Sequence, residues 1–182
     1  MVKMSVVEKF FVNRKNGSLH KIMAHLERPL TISNSSHVLE VGAGVGKLSL
    51  LISERYHPAS LYVTDFDEEQ MKLAEKNVKE TYGAVPRNLR LEKADVLDLR
   101  YSDETFDTVF ALMVLHHLSG HELPRALDSL RRVLKIGGQL VYSEMFRKKK
   151  IKRYLSTKGF EISYCKTSAL GLVDLVIATR RN

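Results

Sequence analysis

A single cysteine, Cys165, occurs in the 182 residues, which excludes an internal disulfide framework. Its neighbours Ile162, Ser163 and Tyr164 read as strand rather than as a metal site or a nucleophile elbow, and a reducing compartment is the expectation. No stretch reaches the roughly 20 apolar residues needed to cross a bilayer. Residues Met1–Val12 mix acidic and basic side chains among apolar ones, unlike a secretory leader, so the expectation is a soluble, cytoplasmic protein. Low-complexity linkers, internal repeats and composition breaks are missing too. With 44% hydrophobic residues this leaves one compact domain able to bury its own core.

Acidic residues are scarce in one part of the chain only. Residues 131–182 hold 13 Lys/Arg against Glu144, Glu161 and Asp174, a charge of +10. Residues 1–130 hold 16 Lys/Arg against 18 acids, a charge of −2. The net +8 is therefore C-terminal rather than diffuse.

What is present is an alternation of elements. Short β-rich runs at Val38–Val41, Leu61–Thr64, Leu89–Ala94, Phe106–Ala111 and Gln139–Glu144, mostly separated by helical patterns, predict βα units on a parallel sheet. After the second run, Asp67 and Gln70 have capping-box spacing, Met71, Ala74 and Val78 share a face, and Gly83 can close the helix in a left-handed conformation. Before the fifth, Pro124 stands near a first turn, Leu123, Leu127, Leu130 and Leu134 form a stripe, and Lys135 precedes Gly137 and Gly138, a predicted helix stop. The stretch Asp95–Thr105 reads as loop. The end of the chain predicts a helix over Lys150–Lys158 and strands over Phe160–Lys166 and Leu172–Thr179. The short Ser168–Gly171 turn makes those two strands an antiparallel hairpin at the sheet edge.

The strongest motif is Val38-Leu39-Glu40-Val41-Gly42-Ala43-Gly44-Val45-Gly46, a strand that runs through glycines into a helix over Lys47–Tyr56. Glycines let the backbone turn sharply and let a ligand approach it, while the helix start presents unbonded N–H groups. The dinucleotide fingerprint wants glycine or alanine three residues after Gly44, where this chain has Lys47, so a nicotinamide dehydrogenase is disfavoured. Asp65 closes the second strand, where a carboxylate can accept both ribose hydroxyls of an adenosine; the alternative is that it caps the next helix, a role Asp67 can also fill. Asp95 closes the third strand in position for an adenine amino group, with Val96 offering an N–H and an apolar face.

With these residues in place, the chain resembles a class I S-adenosylmethionine (SAM)-dependent methyltransferase of the small-molecule type that includes the ubiquinone and menaquinone C-methyltransferases. The similarity covers roughly residues 36–180 through Val38–Gly46, Val63–Ala74, Ala94–Leu99, Phe106–Leu118 and Leu134–Glu144, in the family's order. It implies an α/β, Rossmann-like fold with a seven-stranded, mostly parallel sheet of order 3-2-1-4-5-7-6, last strand antiparallel and helices on both faces. It implies a methyl-transferring enzyme with SAM as cofactor and S-adenosylhomocysteine as product. Glu40, Gly42, Ala43, Gly44 and Gly46 would then hold the methionine end, Asp65 with neighbouring Phe66 the ribose side, Asp95 and Val96 the adenine, and Ala111 and Leu112 the methyl donor. No metal site is expected.

Residues 1–35 are expected to be an N-terminal helical segment of the same domain as the SAM-binding residues 36–182. Phe10, Phe11, Ile22 and Leu26 resemble the helical lid of many relatives, or else pack a plain helix on the sheet. Acceptor-side candidates are His116, His117 and Glu144, each of which also fits a packing or surface role, so none is assigned as catalytic. The fourth strand ends in Ala111-Leu112-Met113-Val114, without the N/D-P-P-Y/F signature of relatives that methylate exocyclic or amide nitrogens. The expected acceptor is a small molecule; the alternatives are an RNA or protein methyltransferase that uses the basic C-terminal third, or a non-catalytic SAM-binding partner protein. The basic run Arg147–Arg153 could attract an anionic acceptor, RNA, a protein or an anionic membrane surface, or be a solvated helix that keeps the protein soluble.

Overall fold

The computed structural model describes residues 17–26, 29–146, 148–167 and 173–182. In chain order the elements are α1 (Gly17–Leu26), β1 (His37–Val41), α2 (Lys47–Tyr56), β2 (Ser60–Asp65), α3 (Glu68–Tyr82), β3 (Leu89–Lys93) and β4 (Phe106–Leu112). They continue with a 3-10 turn (Leu115–His117), α4 (Glu122–Val133), β5 (Leu134–Glu144), α5 (Lys148–Thr157), β6 (Phe160–Thr167) and β7 (Asp174–Arg180).

The central strands are apolar on both faces, as a sheet covered by helices on each side requires. Val38, Leu39 and Val41 of β1 and Val109, Phe110 and Ala111 of β4 are all buried. The sheet order is β3-β2-β1-β4-β5-β7-β6, as the sequence led us to expect. Pairs β1–β2, β2–β3, β1–β4 and β4–β5 are parallel, whereas β7 runs antiparallel to both β5 and β6. The chain builds outward from β1 to β3 and then returns to lay β4 against the other side of β1. That reversal opens a crevice beyond the carboxyl ends of β1 and β4, where open α/β sheets bind ligands.

Two apolar layers flank the sheet. One contains Leu123, Leu127 and Leu130 of α4 with Ile151 and Leu155 of α5; the other contains Met23 and Leu26 of α1 with Leu48 and Ile52 of α2. Of the lid candidates, Leu26 is thus a core residue and Ile22 is half-buried, while Phe10 and Phe11 lie outside the described residues. No helix among the described residues is long and apolar enough to cross a membrane.

The helix punctuation is largely as read. Asp67 caps α3, its carboxylate accepting from Glu69 N and Gln70 N, and Gly83 ends the helix with φ 78°. The stop before β5 differs. Leu134 belongs to β5 rather than to the helical stripe, and Gly137 and Gly138 lie within the strand. Phe106 pairs with Leu134 but Thr108 with Gln139, so β5 carries extra residues there, and Gly137 at φ 80° absorbs the irregularity. The basic helix starts at Lys148, two residues earlier than expected, and the Ser168–Gly171 turn lies outside the described residues.

Candidate cofactor and acceptor site

Gly42, Gly44 and Gly46 all have positive φ (63°, 54° and 76°), which only glycine adopts at little cost. Two of them also permit close approach. A Cβ on Gly42 would lie 2.4 Å from Cγ2 of Val114, and one on Gly46 would lie 3.2 Å from Cβ of Ala74 on α3. At Gly44 the nearest atom is 3.8 Å away, so that position faces comparatively open space. The loop is fastened by Ala43 N donating to Thr64 O (2.9 Å) and Gly44 N donating to Asp65 Oδ2 (2.8 Å). Gly46 caps α2 without a side-chain acceptor, leaving the N–H groups of that first turn without a side-chain cap.

Glu40 is buried at the end of β1, and its carboxyl accepts a short hydrogen bond from the Ser49 hydroxyl of α2. Burial pushes its pKa up to about 8, with the nearby Asp65 charge adding to the rise and the Ser49 bond opposing it. Native Glu40 therefore holds a proton through a pH range in which the unfolded chain has lost it. Its contribution to stability is greatest below the ordinary carboxyl range, declines as pH rises, and levels off above about 8. Glu40→Gln keeps an acceptor for Ser49 and cannot ionise. We expect the melting temperature of the wild type relative to this variant to fall between pH 5 and pH 8, as thermal melts across roughly that range would record. A constant difference would show that Glu40 does not titrate there. In this setting a cation placed beside Glu40 favours its ionised form, which suits a sulfonium or ammonium ligand.

Asp65, half-buried at the end of β2, does not cap α3; Asp67 does. The Asp65 carboxylate instead accepts from Gly44 N on one oxygen and from Asp67 N (2.9 Å) on the other. Each oxygen keeps a second lone pair, enough for the two hydroxyls of a ribose. Phe66 beside it is 68% exposed, an unusual state for a large aromatic side chain and one that suits an adenine edge. Asp95 accepts from Leu97 N (2.9 Å) and is half-buried, as is Val96, which packs against the α4 side of the core. Ala111 is enclosed in the core and Leu112 is partly exposed at the crevice. Taken together, a buried carboxyl, an open glycine turn, a diol-competent carboxylate and an exposed aromatic ring fit SAM.

Glu144, which from sequence could equally have been a surface acid, is fully buried at the end of β5. Its Oε1 accepts from Val114 N (3.0 Å) and Leu115 N (2.7 Å), and Oε2 pairs with His116 Nδ1 at 2.9 Å. A carboxylate accepts, so Nδ1 carries the hydrogen, and in the neutral imidazole the lone pair is on Nε2. The His117 ring lies 4.0 Å from that of His116 by centroid, tilted by 38°, and the exposed Phe146 ring is 6.3 Å away. The loop reaches this arrangement through Met113, which has φ 58° and whose N–H donates to Ser143 O (2.8 Å). That left-handed step turns Val114 onto Gly42 and aims successive N–H groups at Glu144. Sequence reading missed Met113, Val114 and Ser49. Methionine and valine give no local sign of such a turn, and the Glu40–Ser49 spacing has meaning only once α2 is laid against β1.

Comparison with known proteins agrees with this fold. Residues 38–138 match the family described as Methyltransferase domain, and the chain belongs to it. Demethylmenaquinone methyltransferase of Bacteroides fragilis is 26% identical over 108 residues, 59% of this chain and 42% of that protein. Phosphatidylethanolamine N-methyltransferase of Cereibacter sphaeroides is 32% identical over 118 residues, 65% of this chain and 55% of that protein. The chain thus spans about half the length of the curated relatives it matches. A crystal structure of a SAM-dependent methyltransferase from Aquifex aeolicus superposes with a TM-score of 0.71 at 19% identity, covering 88% of each chain, which bears on the fold alone.

Proposed function

We propose that this chain is a SAM-dependent methyltransferase whose acceptor is a small molecule that loses a proton as it is methylated. One juxtaposition carries the reading. The loop that seats Val114 on Gly42 of the glycine turn also holds His116 against the buried Glu144. A cofactor cradle and a carboxylate-backed imidazole therefore share one wall. The named acceptors of the relatives, a demethylmenaquinone and phosphatidylethanolamine, support the small-molecule class.

When bound, SAM supplies a methyl group already activated by its sulfonium. The protein's part is to hold the acceptor in line with that methyl and to keep water away, a proximity effect of several kcal/mol, roughly 7–11 at best. Asp65 and the glycine turn fix the donor side. Glu144 would orient the imidazole and stabilise it when charged, and His116 Nε2 would take the proton that the acceptor loses.

Incubating the purified chain with methyl-labelled SAM and a cell extract, then separating low-mass and organic-soluble molecules from RNA and protein, tests the proposal. Label should enter an organic-soluble or low-mass acceptor, and Asp65→Ala should weaken cofactor binding in calorimetry by at least about tenfold, the loss of one charge-assisted contact. Absence of SAM and S-adenosylhomocysteine binding at about millimolar ligand would sink the cofactor reading. Label confined to RNA or protein would sink the acceptor class.

A further inference from the structure

The charges of α5 are divided unequally. Ile151 and Leu155 bury one side of the helix, and Lys148 and Lys152 turn inward to the buried Asp174 at 3.2 and 2.7 Å. Asp174 pairs with Glu144 across β5 and β7, so this clamp fixes the start of α5 at the site edge of the sheet. Lys149, Lys150 and Arg153 remain on the outward face, exposed and with no ion pair among the described residues. The contrast with α3 is direct. There, Lys72, Lys76 and Lys79 are each paired with a glutamate on the same helix, the arrangement of an ordinary solvated face. Nothing acidic occurs within α5 at all.

Next to this unbalanced face stands Phe146, 60% exposed, on the connection that leads from Glu144 into α5. It is one of the two most exposed large aromatic side chains among the described residues; the other, Phe66, directly follows Asp65. An exposed aromatic ring a few residues before three exposed cations without ion pairs matches the chemistry of an anionic bilayer surface, where the ring enters the headgroup layer and the cations meet lipid phosphates. A surface that only tracks RNA phosphates would leave the ring unused, whereas one that stacks bases would use it, so RNA is an arm of the test.

We propose that Phe146 with Lys149, Lys150 and Arg153 forms a docking surface for an anionic phospholipid bilayer, which brings the acceptor side of the crevice to the membrane. Docking itself needs no cofactor. Its consequence for the acceptor, a lipophilic molecule taken from the bilayer, rests on the methyl-transfer reading given above.

Cosedimentation of the full chain with vesicles tests this. Vesicles of about three parts phosphatidylcholine to one part phosphatidylglycerol should retain the protein at low salt, and phosphatidylcholine alone should not. Lys149→Glu with Lys150→Glu and Arg153→Glu should cut retention by roughly tenfold or more. Phe146→Ser should cut it by roughly threefold to tenfold, as loss of one interfacial aromatic anchor would. Calorimetric SAM binding by the same variants should match the wild type, which separates failure of docking from failure of the cofactor reading. Equal retention by both vesicle types, no retention, or a charge-reversed variant that binds as well as the wild type would each overturn the proposal. So would binding of a mixed-sequence RNA oligonucleotide that is lost in the charge-reversed variant but unaffected by Phe146→Ser while vesicles fail to bind. Should the triple variant not fold, the Phe146→Ser result and the salt dependence of the wild type decide alone.

Discussion

Gly42→Ala is expected to destabilise the protein by about 2–5 kcal/mol, combining left-handed strain on a non-glycine residue with overpacking against a neighbour. The φ of 63° accounts for the first part, and the 2.4 Å approach to Val114 Cγ2 for the second. Val114 cannot simply retreat, because its N–H is bonded to Glu144 at 3.0 Å. For a chain of this size the melting temperature should drop by roughly 5–15 °C, and cofactor affinity should fall by at least about tenfold because the turn that receives the ligand is displaced. Gly44→Ala is the control. It meets the same kind of φ, 54°, but no close atom, so its cost should stay near the strain alone. Val114→Ala removes the obstructing methyls, so in the Gly42→Ala background it should restore part of the stability, a positive coupling readable in a double-mutant cycle. Additive losses would show that the contact between Gly42 and Val114 does not set the loop.

How much of this was legible in the chain follows from distance along it. The glycine turn, Asp65 and Asp95 are each written beside the strand that ends at them, so a local reading finds them. The sheet order was accessible through resemblance, and the antiparallel β7 also through the short connection from β6. By contrast, Glu144 and His116 are 28 residues apart and meet only because β4 and β5 pair in register. Glutamate at the end of a parallel strand gives no sign of whether water or backbone N–H groups will satisfy it; here Met113, in a conformation that methionine rarely adopts, decides the matter. The start of β5 was misread for a related reason. Gly137-Gly138 after a helical stripe looks like a stop signal, and it takes the pairing of Phe106 with Leu134 to show that the glycines serve an irregularity inside a strand.

Glu144 offers the sharpest separation of structural from chemical roles. Glu144→Ala strands Val114 N and Leu115 N without their acceptor, the latter in a buried position, and removes the carboxylate from His116 Nδ1. The expected loss is about 3–5 kcal/mol, as for other buried polar pairs broken from one side. Glu144→Gln is different. Its carbonyl oxygen can accept from both N–H groups, so stability should fall by only about 1 kcal/mol. The amide, however, presents an N–H toward His116 Nδ1, which must then accept, and the ring hydrogen moves to Nε2. The lone pair that would take the acceptor's proton is thereby lost, although every backbone bond of the loop survives. Turnover in the labelled-methyl assay should drop by roughly 10²–10⁴-fold, the usual worth of a positioned general base, with cofactor affinity in calorimetry unchanged. His116→Gln should reproduce the loss. If Glu144→Gln instead retained turnover in proportion to its stability, the pair would be a strut for the Val114–Leu115 turn, and the acceptor would be one that needs no base.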